Sequence, residues 1–357
     1  IKNIQINTVI MQCSLFNNGL SIRPDGRVSP CCQWIHGKSW IQLDDDWGKY
    51  IDDKKEQFKK GWIPECNQCK NDEAITGTSE RVEQNDFLRE YAQSNSKKFY
   101  WDLKLHNTCN LTCRMCGPHD SSSWLKLINE NKNEEWDADN ILGINDTKFG
   151  WRENIPLLLK NHINDLKVLK FTGGEPFMIP QVKQLMKAVI KKGKADDVHI
   201  RITTNSTFEL TNEWIEILRQ FKRVSFSLSI NGIKSRYEYI RQNADWETVY
   251  TNVMKMKDLK FIDYRVNDLY QILVYDMVDE INNFWKSKDV DVAWAHLTAP
   301  KYHSLNALPT HLLKKYNHWN GYKFNQALFD EFLKQTAIHD RIYGKDIRKQ
   351  IPELFSK

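Results

Sequence analysis

From residue 99 onward the apolar positions switch repeatedly between two periods. Short, densely apolar runs predict strands over 99–106, 166–172, 198–204, 223–230, 262–273 and 290–297. Between them, apolar residues recur at helical spacing over 121–129, 151–163, 181–192, 212–220, 246–259 and 278–287. A chain that alternates strand and helix in this way predicts an α/β fold with a parallel sheet. The fourth run shows the alternation residue by residue. Ser225, Ser227 and Ser229 share one face of a strand, and Phe226, Leu228 and Ile230 share the other.

The flanking segments read differently. Residues 4–11 alternate like a short strand that delivers Cys13, and 19–30 reads as a hairpin with Pro24-Asp25-Gly26 at its turn. A mixed-charge amphipathic helix is expected over 47–60, ending at Gly61 before the knuckle Cys66-Asn-Gln-Cys69. A second helix is expected over 73–93, carrying Ser79, Arg81 and Arg89, with its charged residues forming a solvated face rather than a site. At the far end, 310–316, 326–342 and 345–355 read as helices, and Leu328, Phe329, Phe332 and Leu333 form an apolar stripe. These last helices are expected to close an open sheet edge. Three segments result: 1–98, 99–300 and 301–357.

Composition narrows the class. The chain has 357 residues, 41% apolar and 27% charged, with a net charge of +5. That is enough apolar surface for a sizeable core and too mild a charge to point to nucleic acid as a partner. No apolar run is long enough to span a bilayer, so no membrane association is expected. Eight cysteines without a basic-then-apolar export pattern favour a reducing compartment and metal or cluster binding over disulfides. A cytoplasmic protein is expected.

The cysteines fall into two groups. Cys109, Cys113 and Cys116 stand at C-x3-C-x2-C spacing directly after the first strand of the repeating region. Three thiolates on one tight loop can hold three irons of a 4Fe–4S cubane and leave the fourth iron open. Structural zinc is the competing reading, although it takes four closed ligands. Cys13, Cys31, Cys66 and Cys69 make a four-thiolate set from a hairpin and a knuckle, which suits a second cluster or a structural zinc ion. Cys32 adjoins Cys31, and neighbouring strand residues point to opposite faces, so one of the two thiols faces that site.

The motifs that follow extend the pattern. After the second strand comes Thr172-Gly173-Gly174-Glu175-Pro176, after the third Thr203-Thr204-Asn205-Ser206, and the fourth ends in Asn231-Gly232. Glycines admit close backbone approach to a ligand, and bare backbone carbonyls accept hydrogen bonds from an ammonium group. With the cysteine loop, these motifs resemble radical S-adenosylmethionine (SAM) enzymes. The hairpin-plus-knuckle order, with Gly26-x4-Cys31, resembles the twitch module, the short form of the SPASM domain, here placed before the barrel.

The resemblance implies a partial (β/α)6 TIM barrel with a small N-terminal hairpin-and-helix cluster module and C-terminal helices. It implies that Cys109, Cys113 and Cys116 hold a 4Fe–4S cluster that chelates SAM. Reductive cleavage then makes a 5′-deoxyadenosyl radical that abstracts a substrate hydrogen. Met115, Gly173, Gly174, Glu175, Thr204, Asn205, Ser227, Ser229 and Arg241 form the implied cofactor-binding set, with Arg241 pairing the SAM carboxylate. Cys13, Cys31, Cys66 and Cys69 are implied ligands of an auxiliary 4Fe–4S cluster that accepts or relays an electron. The spacing from Gly26 selects Cys31 and leaves Cys32 as a small buried hydrophobe. Ser206 and Asn231 replace the family's commoner glycine and aspartate, so a carboxylate function is expected to be lost at the second position. The expected substrate is a peptide or protein that is oxidised or cross-linked, with a small-molecule dehydrogenase or cyclase and a non-enzymatic cluster or zinc protein as alternatives. A one-electron donor such as flavodoxin or ferredoxin is the implied partner.

Overall fold

The computed structural model describes residues 11–24, 26–34, 41–42, 47–91, 99–137, 156, 159–316 and 321–356. The expected strand over 4–11, the centre of the 24–26 turn and most of the expected helix over 151–163 lie outside them. The chain forms two compact units, one of residues 1–102 with 150–167, the other of 103–149 with 168–357.

In the first unit, β1 (Gly19–Ile22) and β2 (Arg27–Ser29) form the expected antiparallel hairpin, and β3 (Ile41–Gln42) extends it. Helix Trp47–Lys59 follows, and Ile51 and Phe58 on it pack with Phe16, Trp34 and Ile63 into a small core. The single helix expected over 73–93 is instead broken. Helix Asn67–Thr76 ends at Gly77, whose φ of 75° lies in the left-handed region that stops helices. Ser79 then caps a new helix, Glu80–Phe87, by accepting from the Val82 N–H. Ser79 is buried, and Arg81 grips Glu73 through two nitrogens at 2.8 and 2.7 Å. Arg81 is therefore tied to the protein, while Arg89 stands in solvent as expected, its side chain 80% exposed.

β4 (Tyr100–Leu103) runs across the division between the units. In the second unit, Leu103 accepts from the Thr172 N–H at 3.1 Å, beside β6 (Val168–Phe171). β6, β7 (His199–Thr204), β8 (Arg223–Ser229), β10 (Ile262–Tyr270) and β11 (Val292–His296) then pair in parallel, in the order β11-β10-β8-β7-β6. Helices Pro180–Lys191, Asn212–Leu218, Trp246–Asp258 and Val278–Lys286 connect them. This is the expected α/β partial barrel. Two dipeptide strands, β5 (Thr112–Cys113) and β9 (Arg241–Gln242), form a separate antiparallel pair that the apolar pattern did not signal.

Strand register explains the two faces. Thr203 lies opposite Ser227, which lies opposite Arg265, so one face is polar across three strands. The other face carries Ile202, Phe226 and Val266, all buried. Phe226 packs against Phe177, which meets Trp214 of helix Asn212–Leu218 edge-on at 5.1 Å. Burying the apolar face under helices leaves the serine face for a ligand. Beyond the strands, the stretch expected to be helical over 345–355 is a short helix, Ile347–Gln350, and a 3-10 turn, Pro352–Phe355. Pro352 cannot donate to continue the helix. Helix Gln326–Tyr343 packs on the turns at Lys301–His303 and Leu305–Ala307, while β11 stays half-exposed.

Truncating the buried contact under the sheet, Phe226→Ala, lowers stability by about 3–5 kcal/mol. A urea midpoint unchanged from the parent protein would contradict the packing described for Phe226.

Candidate active site

The loop after β4 is a cysteine loop braced by helix Ser122–Glu130, by β9 and by helix Gln326–Tyr343. Ser122 and Ser123 brace it at Cys109. The Ser122 hydroxyl accepts from the Cys109 N–H at 3.2 Å, and the Ser123 hydroxyl donates to the Cys109 carbonyl at 2.7 Å. The Trp124 indole donates to the Cys113 carbonyl at 2.9 Å. On the other side, β5 pairs with β9, placing Cys113 opposite Arg241. Between them Arg114 is 1% exposed, bonded to the Tyr239 carbonyl at 2.8 Å and to Asp340 of helix Gln326–Tyr343 at 2.5 Å. Its guanidinium also lies 3.8 Å from the centre of the Tyr239 ring. The C-terminal helix thus fastens the cysteine loop, a role absent from its apolar stripe.

The three thiols sense one another. Burial raises all three above the ordinary thiol value, Cys116 to about 12, and the neighbouring sulfurs add to the rise at Cys109 and Cys116. Arg241 opposes it at Cys113, where its Nη1 lies 3.5 Å from the sulfur. Asn205 Nδ2 lies 3.7 Å from the Cys109 sulfur.

The glycine loop after β6 locks onto this one. The Gly174 N–H donates to the Asp120 carbonyl at 3.1 Å and the Glu175 N–H to the Thr108 carbonyl at 2.7 Å. Gly173 and Gly174 have φ of 76° and 55°, and a Cβ on Gly174 would stand 2.3 Å from the Thr108 oxygen. Only glycine fits this close crossing of two loops. Glu175 sits deeper than the motif suggests. It is fully buried, accepts from the Thr204 hydroxyl at 2.8 Å and the Asn205 N–H at 2.7 Å, and ties the second loop to the third. Burial pushes its carboxyl up to about 7.

Asn205 in turn bonds Asn110 at 3.0 Å and accepts from Thr207, two residues that the motifs did not single out. Met115, Gly173, Gly174, Ser227 and Ser229 stay half-buried around the mouth. Ser206 adopts φ of 63°, in the left-handed region that favours glycine, and its buried hydroxyl has no hydrogen-bond partner among the described residues. Arg241, the arginine implied for the SAM carboxylate, and Arg236 five residues before it are both buried. Arg236 is held by Asp276 and by the Leu273 and Gln350 carbonyls. Asp268 of β10 stands beside Asn231, its carboxylate accepting from the Asn231 amide at 3.1 Å and the Gly232 N–H at 3.0 Å. No sequence motif marked Asp268.

In the first unit, Cys13, Cys31, Cys66 and Cys69 line one cavity walled by Trp34, Phe58 and Trp62. Burial raises all four thiols, Cys13 to about 12. The Leu15 and Phe16 amides at Cys13, and the Ser79 hydroxyl and Arg81 amide at Cys69, pull the other way. Cys32 is half-buried rather than buried, and its sulfur lies 3.8 Å from the Glu80 carboxylate. Among the described residues, no three His, Cys, Asp or Glu side chains converge tightly enough to hold a single metal ion.

A parallel barrel that gathers three thiols and a glycine loop at the C-terminal ends of its strands defines a barrel enzyme with its chemistry on those loops. More specifically, residues 103–280 match the family model of the radical SAM superfamily, and this part of the chain is a radical SAM domain. Such enzymes work with a 4Fe–4S cluster, SAM, a substrate and a reductant. The thiols, the glycine cradle and the buried donors fit those groups. Among curated proteins, GTP 3′,8-cyclases of Clostridium botulinum, strains Hall and Okra, are similar at 20% identity over 200 residues. The match covers 56% of this chain and 56% of theirs, so the chain spans about half the length of the curated relatives it matches. Among solved structures, anSMEcpe with bound AdoMet is 19% identical with a TM-score of 0.43, covering 68% of this chain and 60% of that one. Streptococcus suis SuiB is 16% identical with a TM-score of 0.40, covering 93% and 69%. No helix among the described residues is long and apolar enough to cross a membrane.

Ser206→Gly removes both a left-handed β-carbon and an unsatisfied hydroxyl, and raises stability by about 1 kcal/mol in denaturant melts. Glu175 gives a pH signature in the ligand-free protein. Its usual value of 4.5 applies to the unfolded chain and about 7 to the folded one. The folded state therefore holds the extra proton between these values, and stability falls as pH rises through that window, by on the order of 3 kcal/mol. Melts at stepped pH detect it as a slope that Glu175→Gln flattens.

Proposed function

We propose that the protein is a radical SAM enzyme with an auxiliary cluster, acting on a peptide or protein that it oxidises or cross-links. Cys109, Cys113 and Cys116 hold the first 4Fe–4S cluster, and they are the only cysteines of the radical SAM domain. One iron is thereby left for SAM. The loop crossing carries this reading: the glycine loop hydrogen-bonds directly to the cysteine loop, so a ligand of the open iron lies against Gly173 and Gly174. When bound, the cluster and SAM supply one-electron cleavage of SAM and abstraction of a substrate hydrogen.

The residues around them position and exclude water. Gly173 and Gly174 present carbonyls to the SAM ammonium, while their loop's amides are engaged by the cysteine loop. Glu175 with Thr204 and Asn205 holds this cradle rigid, and Met115, Ser227, Ser229 and Arg241 complete the cofactor set. Residues 1–98 form a twitch-like module in which Cys13, Cys31, Cys66 and Cys69 hold the auxiliary cluster. The thiols ring a cavity, as the corners of a cluster require, whereas zinc draws four sulfurs to about 2.3 Å from one point. With all four ligands from protein, such a cluster would have no open iron for substrate and would supply an electron acceptor or relay. A small-molecule substrate is the second reading, favoured by the named activity of the curated relatives. A flavodoxin- or ferredoxin-type donor supplies the electron in either case, and the expected location is the cytoplasm.

Protein purified without oxygen is expected to carry about eight irons per chain and to convert SAM to methionine and 5′-deoxyadenosine when reduced. Cys109→Ala, Cys113→Ala and Cys116→Ala abolish that cleavage. Cys13→Ala loses about half the iron, keeps SAM cleavage and loses product formation. Zinc in place of iron, or no SAM cleavage in the parent protein, would sink the proposal. Turnover with enzyme, SAM and reductant alone, without a peptide, selects the small-molecule reading.

A further inference from the structure

Arg241, assigned above to SAM, has closer business with the protein. Its Nη1 donates to the Cys113 sulfur at 3.5 Å, and its Nε and Nη2 both donate to Asn231 Oδ1, at 3.0 and 2.7 Å. The Asn231 amide donates onward to Asp268 Oδ1 at 3.1 Å, and the Gly232 and Leu269 N–H groups donate to the same carboxylate at 3.0 and 2.7 Å. All three side chains are buried: Arg241 is 8% exposed, Asn231 1% and Asp268 0%. The backbone repeats the link, since Cys113 pairs with Arg241 in the β5–β9 bridge and the Arg114 N–H donates to the Ile240 carbonyl at 2.9 Å.

Building on the cluster reading above, we propose that Arg241 is a positioning residue for the Cys113 thiolate. Asn231 and Asp268 hold its guanidinium against the sulfur. The chain of donors runs one way. Asn231 accepts from two guanidinium nitrogens and donates to a carboxylate, which an amide can do and an ionised aspartate cannot. An aspartate at 231 would set a second carboxylate against Asp268 in a dry interior, where like charges repel strongly. The asparagine and Asp268 therefore belong together: the charge that balances Arg241 sits one residue farther from the sulfur. The guanidinium is left to act on Cys113 rather than being quenched by direct pairing.

A cationic donor at a ligating sulfur withdraws charge from it and favours the reduced cluster, because hydrogen bonds to the sulfurs and net charge set the potential. Arg241→Gln is expected to make one-electron reduction of the SAM-binding cluster about tenfold less favourable, a shift of about 59 mV to more negative potential. Arg241→Lys, which keeps the charge, recovers part of it. Asn231→Ala, which leaves Arg241 in place but unheld, shifts the potential in the same direction by less. The measurement is an EPR-monitored redox titration of the reconstituted full chain, with iron counted in each sample. Unshifted potentials in Arg241→Lys and Asn231→Ala at full iron content overturn the proposal, even if Arg241→Gln fails to retain its cluster. A parent protein that binds no cluster overturns the cluster reading and this inference with it. An intact cluster with unmoved potentials overturns this inference alone.

Discussion

Burying three sulfurs on one loop is the constraint from which the rest of the radical SAM domain follows. Each thiolate is costly away from water unless donors reach it, and a loop of this length has few hydrogen bonds of its own to offer. The domain supplies them from distant parts of the chain. Ser122, Ser123 and Trp124 hold the carbonyls and amides, and Arg241 and Asn205 reach the sulfurs. Arg114 pins the middle of the loop to Asp340 in the last long helix. Pieces separated by more than two hundred residues therefore form one support.

The glycine loop shows the same economy of space. Its two positive-φ glycines let one loop cross another at backbone contact, and the amides made available there satisfy carbonyls of the cysteine loop. Glu175 then extends the bracing to the third loop through Thr204 and Asn205. The carboxylate implied as a cofactor contact is, in the folded chain, also a buried tie between loops. In the first unit the four-thiol cavity is built on similar terms, with aromatic walls and amide donors at Cys13 and Cys69.

Much of this was legible in the chain. The six barrel strands fall within the segments that the apolar runs marked, because strands covered by helices are densely apolar. The serine face of β8 was visible because neighbouring strand residues point to opposite faces. The cysteine and glycine loops were legible because their chemistry depends on spacing within a few residues. The single helix expected over 73–93 is two, because Gly77 takes a left-handed φ that ends the first and Ser79 caps the second.

The sequence by itself determined the strand–helix order, the two cysteine groups and the loops that carry them, since these are properties of neighbouring residues. Only the tertiary structure decided which charges are buried and what they hold. Arg114, Arg236 and Arg241 look alike along the chain, yet each is fixed by a different carboxylate or amide brought from another element. Asp268 reaches Asn231 from a neighbouring strand, 37 positions away. A side chain's partners in a dry interior depend on strand register and loop crossing, and neither is a property of neighbouring residues.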